Sequence, residues 1–122
     1  MADAEKLVFM ATHGPDDVEL ATIPFVMAAA ALASDVAVVI GFQADAVRLV
    51  ARGVAEGVNA EGFPPLAKLL ADVRDLGGVL LVCNPCLKSR GIAPEDLVDG
   101  AEIVAAARFV AEITSATNAL TY

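Results

Sequence analysis

The amino-acid sequence predicts a single three-layer α/β/α domain over residues 1–122, with a mostly parallel sheet of four or five strands. The first observation behind this prediction is a series of short, continuous apolar runs, which are typical of strands covered on both faces. The second is that segments with apolar residues three and four positions apart separate these runs, which indicates intervening helices. Strands that alternate with helices form right-handed β-α-β units, and such units build a parallel sheet.

The first strand and helix are predicted from the amino-terminal third of the chain. Leu7–Thr12 is an apolar run of strand length, and a turn follows in which Asp16 or Asp17 can cap the next helix. Val18–Leu32 has a helical period. We expect Pro24 to bend or locally unwind the start of that helix, because proline lacks the N–H that a helix interior uses.

The middle of the chain predicts a second strand and two further helices. Val36–Phe42 is an apolar strand, and Gln43–Arg52 is a short helical segment. Val54–Pro65 carries glycines and prolines without a strong period, so it is predicted as a loop. Leu66–Leu76 has a leucine-rich stripe and is predicted as a helix that Gly77-Gly78 ends.

The carboxyl-terminal part predicts shorter elements. Ala93–Leu97 begins a short helical turn, with proline near its first position. Ala101–Ala107 suits either a short strand or the opening of a helix, and Phe109–Thr114 is predicted as helix. Asn118–Tyr122 is predicted as a last edge strand.

The side chains best suited to catalysis or binding lie where the third predicted strand ends. Val79–Cys83 predicts a buried strand, Pro85 fits the first turn of a following helix, and Gly91 supplies a stop. Cys83 would then lie between a strand's carboxyl end and a helix's amino end. Unpaired N–H groups and the helix dipole should lower its pKa there and favour the reactive thiolate. Both cysteines of the chain lie here, in the spacing Cys83-x-x-Cys86.

Composition excludes several classes of function. The formal net charge of −8 argues against binding to nucleic acid or to anionic membrane surfaces, since both need clustered Lys and Arg. Residues 1–6 lack a basic segment followed by an apolar core, and no apolar stretch is long enough to span a bilayer. We therefore expect a cytoplasmic protein, where paired cysteines favour redox, sulfur or metal chemistry. The apolar fraction of 57% favours self-association.

Other candidate residues should gather at the same edge, because ligands bind outside the carboxyl ends of parallel strands. His13, the only histidine, follows the first strand, and it could take the Cys83 proton if the two strands are near neighbours. Lys88 and Arg90 add local positive charge. The candidates for binding a substrate or anion are Gln43, Asn84, Lys88 and Arg90.

Simpler interpretations stay open for each of these residues. The cysteines could be small buried apolar residues, His13 a turn residue, and Lys88 and Arg90 a solvated helix face. Cys83, Cys86 and His13 could bind a metal, but they are one ligand short of a closed structural zinc site. No nucleotide-binding glycine pattern lies between a strand and a helix, so no cofactor is expected.

Four stretches together resemble the DsrE/DsrF/TusD-like family. They are Thr12–Asp17 (Thr-His-Gly-Pro-Asp-Asp), Phe63–Leu66 (Phe-Pro-Pro-Leu), Val82–Ile92 (Val-Cys-Asn-Pro-Cys-Leu-Lys-Ser-Arg-Gly-Ile) and Asp99–Val104. The resemblance implies a DsrE-like, flavodoxin/Rossmann-like fold, with Ala101–Ala105 as a strand. It also implies a cytoplasmic protein that forms homo- or hetero-oligomers, commonly trimers or hexamers.

The same resemblance suggests a function. Well-understood members carry sulfur as a cysteine persulfide between partner proteins, and Cys83 occupies the carrier position. Cys86 departs from the TusD-like pattern. The leading hypothesis is a sulfur carrier or sulfurtransferase in which Cys83 accepts sulfane sulfur, Cys86 resolves or passes it on, and His13 shuttles a proton. The alternatives are a thiol–disulfide redox protein that uses both cysteines, or a non-catalytic oligomeric module that binds a metal or small anion.

Overall fold

The computed structural model describes residues 4–122 and confirms the predicted α/β fold. Five parallel strands form one sheet in the order β4-β3-β2-β1-β5. The strands are β1 (Lys6–Ala11), β2 (Ala37–Phe42), β3 (Val79–Cys83), β4 (Ala101–Val104) and β5 (Asn118–Thr121). The helices are α1 (Val18–Ala33), α2 (Leu66–Asp75), α3 (Asn84–Ser89) and α4 (Ala106–Thr114).

The strand order decides which face of the sheet each helix covers. β2, β3 and β4 are added one after another to the same edge of the sheet. Right-handed crossovers therefore place α1, α2 and α3 on one face of the sheet. β5 is added on the other side of β1, and its crossover therefore places α4 on the opposite face. Two buried clusters agree with this: Phe25 and Leu66 lie in the first, and Phe109 packs with Met10 and Leu81 in the second.

Three predicted elements take a more specific form or other bounds in the structure. The short helix predicted over Gln43–Arg52 is a 3₁₀ helix over Ala44–Val50, in which buried residues recur at intervals of three. The predicted loop contains a 3₁₀ turn at Ala55–Gly57. α4 begins three residues before the predicted Phe109, since alanines that favour helix carry no apolar period.

Other local predictions are confirmed or corrected in α1. Asp17 caps the helix, with its Oδ1 accepting the Leu20 N–H at 3.1 Å. The expected unwinding at Pro24 is wrong, because α1 is helical without interruption from Val18 to Ala33. No helix in residues 4–122 has both the length and the apolar character needed to cross a membrane.

Candidate thiol site

The two cysteines meet at the carboxyl edge of the sheet. Cys83 is the last residue of β3, and Cys86 lies in the first turn of α3. Their Sγ atoms are 2.8 Å apart, both thiols are free, and both residues are partly buried. A sulfur atom bound to one cysteine is therefore within reach of the other without rearrangement of the backbone.

The topology places Cys83 where the connections of two neighbouring strands diverge. β3 is followed by α3 on one face of the sheet, whereas β4 is followed by α4 on the other face. Cys83 is paired in register with Val104, the last residue of β4. Ligands of open α/β sheets bind where neighbouring strands send their connections to opposite faces. Cys83 thus stands at the place where this fold class forms its binding sites.

The electrostatics of Cys83 correct one expectation. Burial raises the pKa of the Cys83 thiol, and its contact with the Cys86 side chain raises it further. The Cys86 backbone N–H and the charge of Arg90 act in the opposite direction but do not outweigh burial. The predicted lowering is therefore wrong, because desolvation against the core disfavours the thiolate more than the first turn of a six-residue helix favours it.

Cys86 receives a backbone hydrogen bond that the sequence did not reveal. The Ala44 N–H donates to Cys86 Sγ at 3.2 Å. Ala44 has φ of +50°, a conformation uncommon for a residue with a side chain. The loop after β2 thus contributes to the site as predicted for Gln43, but through the backbone of the next residue. Nothing in the alanine side chain could have signalled this role.

An ion pair joins this loop to α3. Arg90 Nε donates to Asp45 Oδ1 at 3.0 Å, and Arg90 Nη1 donates to the Cys86 carbonyl oxygen at 3.2 Å. Arg48 Nε also donates to Asp45 Oδ1, at 2.9 Å. Hydrogen bonds from Arg48 and then from Arg90 hold the pKa of the Asp45 carboxyl below its ordinary value. Arg90 is therefore more than part of a solvated face, whereas Lys88 is exposed.

The remaining candidates are less directly connected to the thiols. Asn84 is the first residue of α3 and is partly buried. His13 follows β1, which β2 separates from β3, and its Nδ1 lies 3.3 Å from Thr12 Oγ1. In the described part of the chain, no hydrogen bond joins His13 to Cys83 or Cys86. The structure therefore shows no hydrogen bond through which His13 would exchange a proton with the thiols.

A metal site is likewise not assembled at this edge. Within residues 4–122, no three His, Cys, Asp or Glu side chains are grouped closely enough to hold a metal ion. The predicted trio of Cys83, Cys86 and His13 is therefore not brought together. The loop after β1 approaches the site through Gly14 instead, where an added Cβ would lie 2.5 Å from the Asp45 carbonyl oxygen.

The chain is similar to two uncharacterised proteins of Methanocaldococcus jannaschii. It is 34% identical to MJ0989 over 64 residues, which cover 52% of this chain and 56% of that protein. It is 30% identical to MJ0760 over 106 residues, which cover 87% of this chain and 38% of that protein. The chain thus spans about half or less of the length of these relatives.

A solved structure and a family comparison identify the kind of protein. The ychN protein from E. coli has a TM-score of 0.82 and 23% sequence identity, and the match covers 97% of this chain and 99% of that one. At this identity the likeness shows the fold. The chain also matches the DsrE/DsrF-like family over residues 5–122, and it therefore belongs to that family.

Proposed function

We propose that this protein is a sulfur carrier that holds sulfane sulfur as a persulfide on Cys83 and exchanges it with donor and acceptor proteins. The observation that carries the proposal is the 2.8 Å approach of the Cys83 and Cys86 sulfurs at the carboxyl edge of the sheet. Membership of the DsrE/DsrF-like family supports it. The sequence resemblance to the sulfur-carrying members of that family implies that Cys83 is the carrier cysteine.

The loading step transfers one sulfur atom without net oxidation. The Cys83 thiolate attacks the outer sulfur of a donor persulfide, R–S–SH, and the donor's S–S bond breaks. The donor leaves as the thiolate RS⁻, and Cys83 becomes Cys83–S–SH. Because burial raises the Cys83 pKa, this step needs a proton acceptor when the donor docks. We assign no step to His13, which contacts Thr12.

Cys86 can act on the loaded sulfur in two ways. A Cys86 thiolate that attacks the outer sulfur receives it, so that Cys86 holds the persulfide and Cys83 is released as a thiolate. A Cys86 thiolate that attacks the inner sulfur forms a Cys83–Cys86 disulfide and releases HS⁻. The separation of the two sulfurs permits either attack.

Intact-protein mass spectrometry tests the carrier role directly. The protein, Cys83→Ser and Cys86→Ser are each incubated with a sulfane-sulfur donor and then weighed with and without a thiol reductant. We expect a reductant-sensitive gain of one sulfur atom in the wild type and in Cys86→Ser, and no gain in Cys83→Ser. Loading of Cys83→Ser that equals the wild type would exclude Cys83 as the carrier.

The same sulfur–sulfur distance favours a second candidate, a thiol–disulfide redox protein. In that reaction both thiols are oxidised to one disulfide, while two electrons and two protons pass to a disulfide or other oxidant. The redox role requires both cysteines, so either serine variant abolishes it. A loss of two hydrogen masses on oxidation, with no gain of sulfur in any variant, would favour this candidate over the carrier.

A further inference from the structure

We propose that the surface around the two cysteines docks an acidic segment of the protein that donates or accepts sulfur. We call this surface the docking face. It consists of exposed and partly exposed residues in the segments that follow β2, β3 and β4, namely Ala44, Arg48, Pro85, Lys88, Arg90 and Ala105. The partner's part in sulfur transfer rests on the proposed function, whereas the preference for an acidic segment does not.

Positive charge is concentrated in the two segments that flank the cysteines. Residues 43–52 and 84–91 contain four of the eight Lys and Arg residues of the chain, but only one of its sixteen Asp and Glu residues. The two segments are in contact, because Arg90 Nε donates to Asp45 Oδ1 at 3.0 Å. A chain with a formal net charge of −8 therefore carries basic segments beside its thiols.

The ion pairs of these segments leave part of their positive charge without an acidic partner. Arg48 and Arg90 bond the same carboxylate oxygen, Asp45 Oδ1, so two cations share one anion. Arg52 is paired with an acid from outside the two segments. Lys88 is exposed, and in the described part of the chain it forms no salt bridge. Because charges are screened over about 8 Å at physiological ionic strength, these local cations act on a docked partner more strongly than distant acids do.

Small uncharged residues border the sulfurs and permit another polypeptide to approach them. Ala44 contacts Cys86 Sγ through its N–H, and Pro85 directly precedes Cys86. Ala105 follows the last residue of β4, which is paired in register with Cys83. These two alanines and the proline are all exposed. None of the three has a long side chain that a partner would need to displace.

The arrangement of these features fits a polypeptide better than a small anion. Sites for small ligands are concave, with polar groups that converge on one point. Here Lys88 is exposed, whereas Arg90 is already engaged by Asp45 and by the Cys86 carbonyl oxygen. A polypeptide spans such separate positions, with its cysteine at the thiols and its carboxylates beside the cations. Complementary charges of this kind steer association and orient the two partners.

Two activated peptides test the docking face without any sulfur donor. Each has one cysteine in a mixed disulfide with thionitrobenzoate, flanked by glutamates in one peptide and by lysines in the other. In Cys86→Ser, the Cys83 thiolate attacks the peptide sulfur, the S–S bond breaks and the coloured thionitrobenzoate leaves, so absorbance measures the rate. We expect the glutamate peptide to react about tenfold faster at low salt, and the difference to shrink at high salt. Equal rates at low salt would overturn the proposal.

Charge reversal at two positions locates the contact. Lys88→Glu reverses an exposed charge on α3, and Arg74→Glu makes the same change at the opposite edge of the sheet, where α2 ends before β3 begins. Each rate is divided by the rate with the thionitrobenzoate disulfide of mercaptoethanol, so that a change in Cys83 reactivity itself cancels. We expect Lys88→Glu to slow the glutamate peptide about threefold to tenfold, and Arg74→Glu to change it less than about twofold. Equal effects of the two reversals would contradict docking at α3.

The result is separate from that of the carrier proposal. Exchange with an activated disulfide needs only a reactive Cys83, whereas loading needs the transfer of a sulfur atom. A protein that prefers the glutamate peptide but gains no sulfur mass would keep the docking face and lose the carrier role. A protein that gains sulfur but reacts equally with both peptides would keep the carrier role and lose the docking face.

Discussion

Glycine residues set how closely neighbouring segments approach one another on the sheet. Gly41 lies in β2 on the face that α4 covers, and an added Cβ there would be 2.8 Å from Phe109 Cε1 and 2.6 Å from Met10 Sδ. Atoms at these distances overlap, so a side chain at Gly41 would push α4 away from the sheet. The absence of a side chain at Gly41 therefore leaves the space in which Phe109 of α4 packs against the sheet.

We predict that Gly41→Ala lowers the free energy of unfolding by about 1–3 kcal/mol, the usual result of overpacking a core. Gly57→Ala is a matched control, because no atom lies within 4 Å of the Cβ it would add. Urea unfolding of both variants measures the difference. Equal unfolding midpoints for Gly41→Ala and Gly57→Ala would show that Met10 and Phe109 move aside at little cost.

Three helices end in the same way, but one of them uses an unfavourable residue. After α2 and α3, glycines in the left-handed region follow the helix, with φ of +89° at Gly77 and +67° at Gly91. After α1 the corresponding residue is Asp35, with φ of +62°. The Asp35 N–H donates to the Leu32 carbonyl and the Val36 N–H to the Ala31 carbonyl, which is the Schellman pattern that favours glycine.

Asp35→Gly should therefore stabilise the protein by about 0.5–1 kcal/mol, because glycine adopts this conformation without a Cβ penalty. It also removes a negative charge from the carboxyl end of α1, where the helix dipole disfavours it. Asp35→Asn separates the two effects, since it removes the charge and keeps a side chain. Thermal unfolding measures both, and a lower midpoint for Asp35→Gly than for the wild type would refute the argument.

At the scale of the whole molecule, the sequence predicted β1, β2 and β3 because their apolar runs are buried, and it predicted most helices because their apolar residues recur three and four positions apart. It also placed Cys83 at the end of β3 and Gly91 at the end of α3, since these are local signals. It could not supply the strand order that separates His13 from the cysteines. It also missed Ala44, because a backbone N–H from a distant loop leaves no trace in the local pattern.

The local sequence pattern likewise does not reveal the ionic contacts that hold α4 to the sheet. Glu112 accepts hydrogen bonds from Lys6 Nζ of β1 and from Arg108 Nε of its own helix, both at 2.8 Å. Arg108 Nη1 also donates to Glu102 of β4 at 2.7 Å. One chain of charges thus links strands at different positions of the sheet through α4.

This network predicts how stability depends on pH. Hydrogen bonds from Lys6, and then from Arg108, hold the pKa of Glu112 below its ordinary value of 4.5. A carboxyl whose pKa is lowered by folding stabilises the folded state fully above its unfolded pKa, and that contribution is lost as the pH falls through the folded value. We therefore expect the wild type to lose stability as the pH falls below 4.5, and Glu112→Gln to lose less.

Urea unfolding of both proteins over descending pH measures this effect. Asp45 also has a lowered pKa and is present in both proteins, so the difference between their unfolding free energies isolates Glu112. That difference should be largest near neutral pH and should shrink below pH 4.5. A difference that stays constant into the acid range would mean that the Glu112 carboxylate does not hold α4, and that Phe109 and its apolar neighbours alone fix this layer.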